Sequence, residues 1–322
     1  MVFIHGGGFI FGSGDDLYLR PDYLMRKNIV LVTFNYRLGI FGFLNLEDEV
    51  APGNQGLKDM IMVPKWVQAN IDRFNGYFNN VTLFGESAGA GAVCYLLQSP
   101  LTDGLVHKAT CQSNSGFNPW IRNKDPKNYT IYSPFGPGPD PKAKVPVLPI
   151  PIEEASEAGI RVPLLIGHNS EEGLSGLVGM IPKSAFIGAD KTFSKMINPR
   201  QPEYFLKTYD LTLKDLRNLY YGKEKITPDN HMIYARICKN GFGKWKKGTT
   251  PYKIMKRMRE LWANFATYGL PTLGISELLP VKWEPVNDVD ELKYLNLDKE
   301  IEMKVVSNIE ERFRNAKTTI KN

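Results

Sequence analysis

The sequence of 322 residues contains few cysteines and few histidines, three and four respectively. Three cysteines are too few for a disulfide framework, which excludes the small secreted domains that depend on such bridges. Cys94 lies in an apolar helical stretch and Cys111 in a candidate strand, so we predict that both are buried thiols. The sequence also lacks any run of about 18 apolar residues, and we therefore expect no membrane-spanning segment.

The charge pattern does not favour a nucleic-acid partner, although the formal net charge is +6. Acidic and basic residues are interspersed over most of the length, and the densest basic stretch, residues 244–259, runs into a predicted helix. A solvated helix face explains that stretch better than a nucleic-acid patch does. With 43% hydrophobic and 23% charged residues, the chain can bury a large core and is compatible with one α/β domain over residues 1–322.

One short motif stands at the centre of the sequence, a Gly-x-Ser-x-Gly pattern with Ser87 between Gly85 and Gly89. A β-rich run at 80–84 leads into it and a helix-forming run at 88–97 follows it. This is the context of a nucleophile elbow, a tight strand-to-helix turn that holds a serine hydroxyl above the end of a sheet. We therefore identify Ser87 as the candidate nucleophile.

A glycine-rich loop makes this interpretation more specific, because a single Gly-x-Ser-x-Gly motif is a weak signal and most occurrences are ordinary turns. Residues 1–4 predict a buried strand that runs directly into His5-Gly6-Gly7-Gly8-Phe9. A loop of this kind supplies backbone N–H donors to an oxyanion hole, and glycines allow the bare backbone to approach the reacting oxygen. The two motifs also occur in the expected order along the chain.

Together, these motifs resemble the type-B carboxylesterases, the cholinesterase-like branch of the α/β-hydrolases, and are most similar to insect α-esterases. The resemblance implies hydrolysis of a small-molecule carboxylic ester through an acyl-enzyme, with no metal and no organic cofactor. Six segments spread over most of the chain carry it: residues 2–9, 35–44, 52–59, 84–90, 163–173 and 261–272.

The resemblance also implies roles for individual residues. Ser87 is the nucleophile, and Glu172, in the loop after a predicted strand at 162–167, is the carboxylate of the catalytic triad. Three residues are expected to donate backbone N–H groups to the oxyanion hole: Gly7, Gly8 and Ala88. Two more, Glu86 and Ser113, are expected to support the reacting groups from behind. The next residue, Asn114, departs from the glycine that the family has there.

Strands and helices alternate in the sequence, which predicts an α/β protein with a mostly parallel, doubly wound sheet. The resemblance implies that this sheet is that of the α/β-hydrolase fold. The segment 28–34 predicts a strand, 57–73 an amphipathic helix and 108–113 a further strand. Later elements are expected as helices and strands in this order: helices at 202–219 and 252–265, strand segments at 283–285 and 294–297, and a closing helix from about Met303 to Arg314.

We expect the fold to be incomplete relative to the family. Residues 126–151 are rich in proline and form a linker that no helix can cross, where the family has several helices. Met1 falls inside a motif block that a long N-terminal portion normally precedes, so we expect an N-terminal truncation. The absence of a signal peptide is then uninformative, and both a cytoplasmic and a secreted location stay open.

The general base is difficult to assign, because a serine hydroxyl needs one and the family order is nucleophile, acid, histidine. His231 alone among the histidines follows Glu172, yet residues 229–236 resemble a family helix upstream of the catalytic histidine. We expect that the segment bearing the base is deleted, with His231 as a weakly supported candidate and His168 as another. Two hypotheses therefore remain, a serine esterase and a non-catalytic protein derived from one.

Overall fold

The computed structural model describes residues 1–15, 21–117, 135–169, 250–287, 292–298 and 300–305. The chain divides into two compact units. The first comprises Met1–Asn169 and Lys256–Leu273, and the second comprises Ser170–Met255 and Gly274–Asn322.

The first unit is built on a parallel sheet of five strands, which confirms the predicted α/β fold. The strand order is β2-β1-β3-β4-β5, so the chain winds one way from β1 to β2 and the other way from β3 onward. A topological switch point therefore lies between β1 and β3, where open α/β sheets bind ligands at the carboxyl ends of the strands. The strands are β1 (Val2–Ile4), β2 (Val32–Thr33), β3 (Thr82–Glu86), β4 (Lys108–Gln112) and β5 (Leu164–Gly167).

Five α-helices accompany the strands in the described residues: α1 (Gly39–Phe43), α2 (Gln55–Asn70), α3 (Ala88–Gln98), α4 (Ile152–Ala155) and α5 (Thr250–Tyr268). Short 3₁₀ turns occur at Pro21–Arg26, Ile71–Phe74, Pro100–Thr102 and Ser156–Ala158.

The core of the first unit forms where α2 and α3 cover the sheet. Residues 88–96 of α3 are all buried, as are Thr82 to Gly85 of the central strand β3. This explains why β3 has almost no alternation of polar and apolar residues, since a parallel strand covered on both faces needs apolar side chains on each. On α2 the apolar positions form one buried face, with Leu57 and Met60 fully inaccessible.

Most predicted elements are confirmed, with shifted boundaries. The helix predicted over 57–73 is observed as α2 followed by the 3₁₀ turn, and the helix predicted over 252–265 as the longer α5. The strand predicted over 28–34 is shortened to β2, which pairs with β1 and, among the described residues, with no other strand. The described part of the proline-rich segment, 135–151, contains no helix and no strand, as predicted.

In the second unit, the described residues contain an antiparallel hairpin of β6 (Lys293–Leu297) and β7 (Ile301–Val305). β6 confirms the strand predicted at 294–297, but residues 283–285 are not in a strand. The start of the predicted closing helix at Met303 is also wrong, because residues 303–305 belong to β7. Ile301 to Val305 alternate apolar and charged side chains, a period of two that favours a strand. The prediction of a helix at 202–219 lies outside the described residues.

Candidate active site

Ser87 lies in a strained turn between β3 and α3. Its backbone angles are φ 54° and ψ −122°, a region that residues other than glycine seldom occupy and that costs about 1–3 kcal/mol. Three hydrogen bonds hold the turn in place. The Ser87 N–H donates to the Gln112 carbonyl at 2.9 Å, and the Ser87 carbonyl accepts from the Gly91 N–H at 3.1 Å and from Asn114 Nδ2 at 3.0 Å.

The hydroxyl of Ser87 does not cap the helix that begins beside it. A serine at this position usually accepts a hydrogen bond from the second or third helical N–H group. Here the unusual backbone angles aim the side chain elsewhere, so the ordinary structural reason for a serine before a helix does not apply. Ser87 is partly exposed, and its hydroxyl hydrogen-bonds to no other described residue.

The glycines of the motif are required by close packing. A Cβ atom on Gly85 would lie 2.5 Å from the carbonyl carbon of Gly89. A Cβ atom on Gly89 would lie 2.1 Å from the carbonyl oxygen of Ile4. Because each clash is with backbone, neither position can accept a side chain unless β1, β3 or α3 moves.

The glycine-rich loop leaves the carboxyl end of β1 and lies against the elbow. A Cβ atom on Gly6 would lie 2.8 Å from the carbonyl oxygen of Glu86 and 3.1 Å from the Cβ of Ser87. Gly7 and Gly8 follow with φ of 107° and 63°, and the N–H groups of these two glycines have no hydrogen-bond acceptor among the described residues. The predicted oxyanion loop and the predicted nucleophile are therefore adjacent in the fold.

The buried side chain of His5 stabilises this loop. The ring is 5% exposed and stacks on Tyr36 with ring centroids 4.3 Å apart. His5 Nδ1 donates to the Gly6 carbonyl at 2.8 Å, and the Tyr36 hydroxyl donates to the His5 carbonyl at 2.8 Å. Burial lowers the pKa of His5, so the ring is neutral near pH 7 and serves as a structural support of the loop.

The end of β4 supports the elbow from the other side. Ser113 adopts a left-handed conformation with φ 61°, and its N–H donates to the Gly167 carbonyl at the end of β5. Asn114 is 8% exposed, and its Oδ1 accepts from the Gly116 N–H while its Nδ2 donates to Ser87. The sequence offered no signal for this role of Asn114, because the two residues are 27 positions apart.

Several predicted site residues come together at this edge of the sheet. Gly7 and Gly8 lie in the loop that follows β1, while Glu86 ends β3, Ser87 forms the turn and Ala88 begins α3. Glu86 is largely exposed, and its carboxylate lies beside Gly6. The predicted acid and the candidate base, Glu172 and His231, lie outside the described residues.

The described part of the chain contains three histidines, and each forms a hydrogen bond to a residue other than Ser87. His5 supports the glycine-rich loop, and His107 Nδ1 accepts a hydrogen bond from the Val81 N–H before the start of β3. His168 follows β5, two strands from β3, which corresponds to roughly 10 Å at the spacing of neighbouring strands. The exposed ring of His168 donates from Nδ1 to the Asn169 carbonyl.

Among the residues the structure describes, no three His, Cys, Asp or Glu side chains lie together as metal ligands. None of the helices in those ranges is long and apolar enough to cross a membrane.

Comparison with known proteins agrees with this geometry. Residues 1–133 match the model of the carboxylesterase family. A juvenile hormone esterase of Tribolium castaneum is 52% identical over 122 residues, which are 38% of this chain and 21% of that protein. A carboxylic ester hydrolase of Bombus ignitus is 32% identical over 302 residues, covering 76% of this chain and 52% of that protein.

The solved structure of a PNB esterase has the same fold, with a TM-score of 0.67 over 98% of this chain and 80% of that one, at 23% identity. The chain spans between about a fifth and about half of the length of the curated relatives cited above. The first 133 residues are thus those of the carboxylesterase family model, and the chain shares the α/β-hydrolase fold of the solved carboxylesterases.

Proposed function

We propose that this chain is a serine carboxylic ester hydrolase that acts on a small-molecule ester through an acyl-enzyme. The observation that carries the proposal is the packing of Gly6 against Ser87. A Cβ atom added to Gly6 would lie only 3.1 Å from the Cβ of Ser87. Two loops that leave neighbouring parallel strands at the switch point thereby bring a hydroxyl and two backbone N–H groups to one place. The α/β-hydrolase arrangement needs this juxtaposition for acyl transfer.

In the proposed reaction, Ser87 Oγ attacks the ester carbonyl carbon and gives up its proton to a base. The carbonyl oxygen becomes negative and accepts hydrogen bonds from the N–H groups of Gly7, Gly8 and Ala88. Ala88 is the first residue of α3, where the N–H groups have no acceptor within the helix and the helix dipole favours negative charge. The alcohol then leaves with a proton, and water hydrolyses the acyl-enzyme to return Ser87.

The proposal assigns the carboxylate of the triad to Glu172. The general base is to be identified by experiment, and the candidates are His231 and His168. In other serine hydrolases, removal of triad residues leaves an acceleration of about 10³–10⁴ over water. The identity of the base therefore decides whether Ser87 works at the rate of an esterase.

A second candidate function is a non-catalytic protein derived from an esterase. The observation that favours it is the placement of the three described histidines, none of which hydrogen-bonds to the Ser87 hydroxyl. Such a protein keeps the elbow and the loop as structural features and binds ligands without turning them over.

Fluorophosphonate labelling separates the two candidates. An activated serine attacks the phosphorus, releases fluoride and keeps a stable phosphonyl group, so intact-mass analysis reports the reaction directly. The hydrolase proposal predicts one adduct on Ser87, none in Ser87→Ala, and turnover of short p-nitrophenyl esters. A chain that stays unlabelled beside a labelled intact carboxylesterase is the result expected of the non-catalytic candidate.

Two further variants locate the base. Labelling that is lost in His231→Ala and kept in His168→Ala assigns the base to His231, and the reverse pattern assigns it to His168. The labelling rate should rise with pH if a histidine is the base, because only the neutral ring accepts the serine proton. His107→Ala is the matched control, since His107 directly precedes β4 and accepts from the Val81 N–H, at the opposite end of β3 from Ser87.

A further inference from the structure

Two cysteines face each other directly behind the elbow. Cys94 lies on α3 and Cys111 on β4, and their Sγ atoms are 3.4 Å apart. Both are free thiols, and they are 5% and 0% exposed. The proposed ester hydrolysis uses neither side chain, so it does not explain why two thiols pack against each other.

The surroundings hold both sulfurs in place. Cys111 Sγ lies 3.6 Å from the Ala90 carbonyl, to which its S–H donates. The backbone of Gly116, with φ 78°, closes over Cys94, since a Cβ atom on Gly116 would lie 2.6 Å from Cys94 Cβ. The contact with the Cys94 thiol, together with burial, raises the pKa of Cys111, so the Cys111 thiol is protonated near pH 7.

Only a small movement separates this contact from a covalent bond. A disulfide has an S–S length of about 2.05 Å, so the sulfurs must approach by about 1.4 Å from their contact of 3.4 Å. Because the pair is shielded from solvent, we expect an oxidant to enter when α3 opens locally, and the second thiol is then already beside the first.

We propose that Cys94 and Cys111 form a modification site, a dithiol that a small-molecule disulfide converts to a reversible cross-link between α3 and β4. One cysteine, as the thiolate, attacks the reagent disulfide, forms a mixed disulfide and expels one reagent thiol. The second cysteine, as its thiolate, attacks the mixed disulfide, closes the Cys94–Cys111 bond and expels the other reagent thiol. Two protons and two electrons leave the protein, and the reagent disulfide is reduced to two thiols.

The cross-link joins the two elements that hold Ser87. α3 begins directly after Ser87, and β4 carries Gln112, whose carbonyl accepts the Ser87 N–H. Cys111 is the residue immediately before Gln112. Oxidation would therefore lock the helix that starts at the elbow to the strand that anchors it, whether or not the chain turns over esters.

The test uses the full chain with Cys238→Ala, so that only the pair remains, and 2,2′-dithiodipyridine as the oxidant. The expected result is two pyridinethiones released per chain, a product lighter by two hydrogens, and a tryptic fragment in which Cys94 and Cys111 are linked. Dithiothreitol should restore the starting mass. The wild-type chain should form the same link and carry one pyridyl adduct on Cys238.

The matched control is Cys111→Ala in the same background, or Cys94→Ala if the first variant has lost the circular dichroism of the folded chain. One thiol remains, so this control should release one pyridinethione and keep one pyridyl adduct. The proposal is overturned if the folded pair keeps pyridyl adducts instead of losing two hydrogens. It is equally overturned if the folded pair releases no pyridinethione while the urea-unfolded chain does.

Discussion

The side-chain amide of Asn114 donates a hydrogen bond of 3.0 Å to the backbone carbonyl of Ser87. The carbonyl that receives it belongs to the strained residue of the elbow, with φ 54°. Strained backbone persists only where neighbouring groups hold it, and Asn114 is one of those groups. A residue that departs from the family pattern thus takes part in holding the proposed nucleophile.

Removing this contact should destabilise the elbow. Asn114→Ala loses the donor to Ser87 and the acceptor of the Gly116 N–H, and we expect the free energy of unfolding to fall by about 1–3 kcal/mol. Asn114→Asp is the informative companion, because it keeps the acceptor for Gly116 but replaces the donor with a carboxylate oxygen that repels the Ser87 carbonyl, so it should destabilise the elbow as well. Urea unfolding followed by circular dichroism measures both, and an unchanged midpoint in Asn114→Ala would contradict the role given to Asn114.

The packing of the elbow predicts a sharp contrast between two glycines. Gly89→Ala places a Cβ atom 2.1 Å from the Ile4 carbonyl oxygen and should cost about 3 kcal/mol or more. Gly167→Ala, at the end of β5, meets no atom of the described residues within 4 Å and should change stability little. Thermal unfolding of the two variants side by side checks this, and equal melting temperatures would refute the close packing.

Adding a methyl group at Gly6 should affect the proposed site more than the fold. The new Cβ would contact the Glu86 carbonyl at 2.8 Å and Ser87 Cβ at 3.1 Å, so the loop must move away from the elbow. A shift of about 1 Å in such a group costs on the order of 10²-fold in rate. The measurement is the rate of fluorophosphonate labelling in Gly6→Ala, with Gly274→Ala as a control whose Cβ meets nothing.

Because His5 is buried and neutral, we expect the stability of the fold to depend on pH. Burial lowers the pKa of His5, so below its ordinary value of about 6.5 the unfolded chain binds a proton that the folded chain does not. The contribution of His5 to the free energy of unfolding should therefore be complete above pH 6.5 and should decrease as the pH falls below that value.

His107 contributes with the same sign, since burial and the charge of Lys108 lower its pKa as well. The variant His5→Asn keeps a donor for the Gly6 carbonyl and removes the titrating ring. Its unfolding free energy should fall less steeply between pH 7.5 and 5.5 than that of the wild type, as urea titrations at several pH values can measure. Identical slopes would show that His5 does not contribute.

The parts of the site that the sequence predicted are those where packing permits only one residue type. Gly85, Gly89 and Gly6 lie where a side chain would meet backbone, and such positions appear in a single sequence as glycines at fixed spacing. The order of the two motifs then identified the sheet and its carboxyl edge. Hydrophobic runs such as that of β3 are equally readable, because a strand buried on both faces tolerates little else.

Other features depended on contacts that a linear pattern does not carry. β2 is shorter than its apolar run, and β1, its one partner among the described strands, is itself three residues long. The hydrogen bond from Asn114 to Ser87 joins a side chain to a distant carbonyl. β7 lies where the sequence prediction placed the start of a helix, although its alternation of apolar and charged residues is typical of a strand. Glu172 and His231 stay predictions.

Incubation of the folded chain with a fluorophosphonate, followed by peptide mass spectrometry, shows whether Ser87 in this elbow is an activated nucleophile. We expect a single phosphonyl group on Ser87 that is absent from Ser87→Ala and from the urea-unfolded chain. A folded chain that acquires no adduct, under conditions where an intact carboxylesterase is fully labelled, would show that Ser87 is not activated.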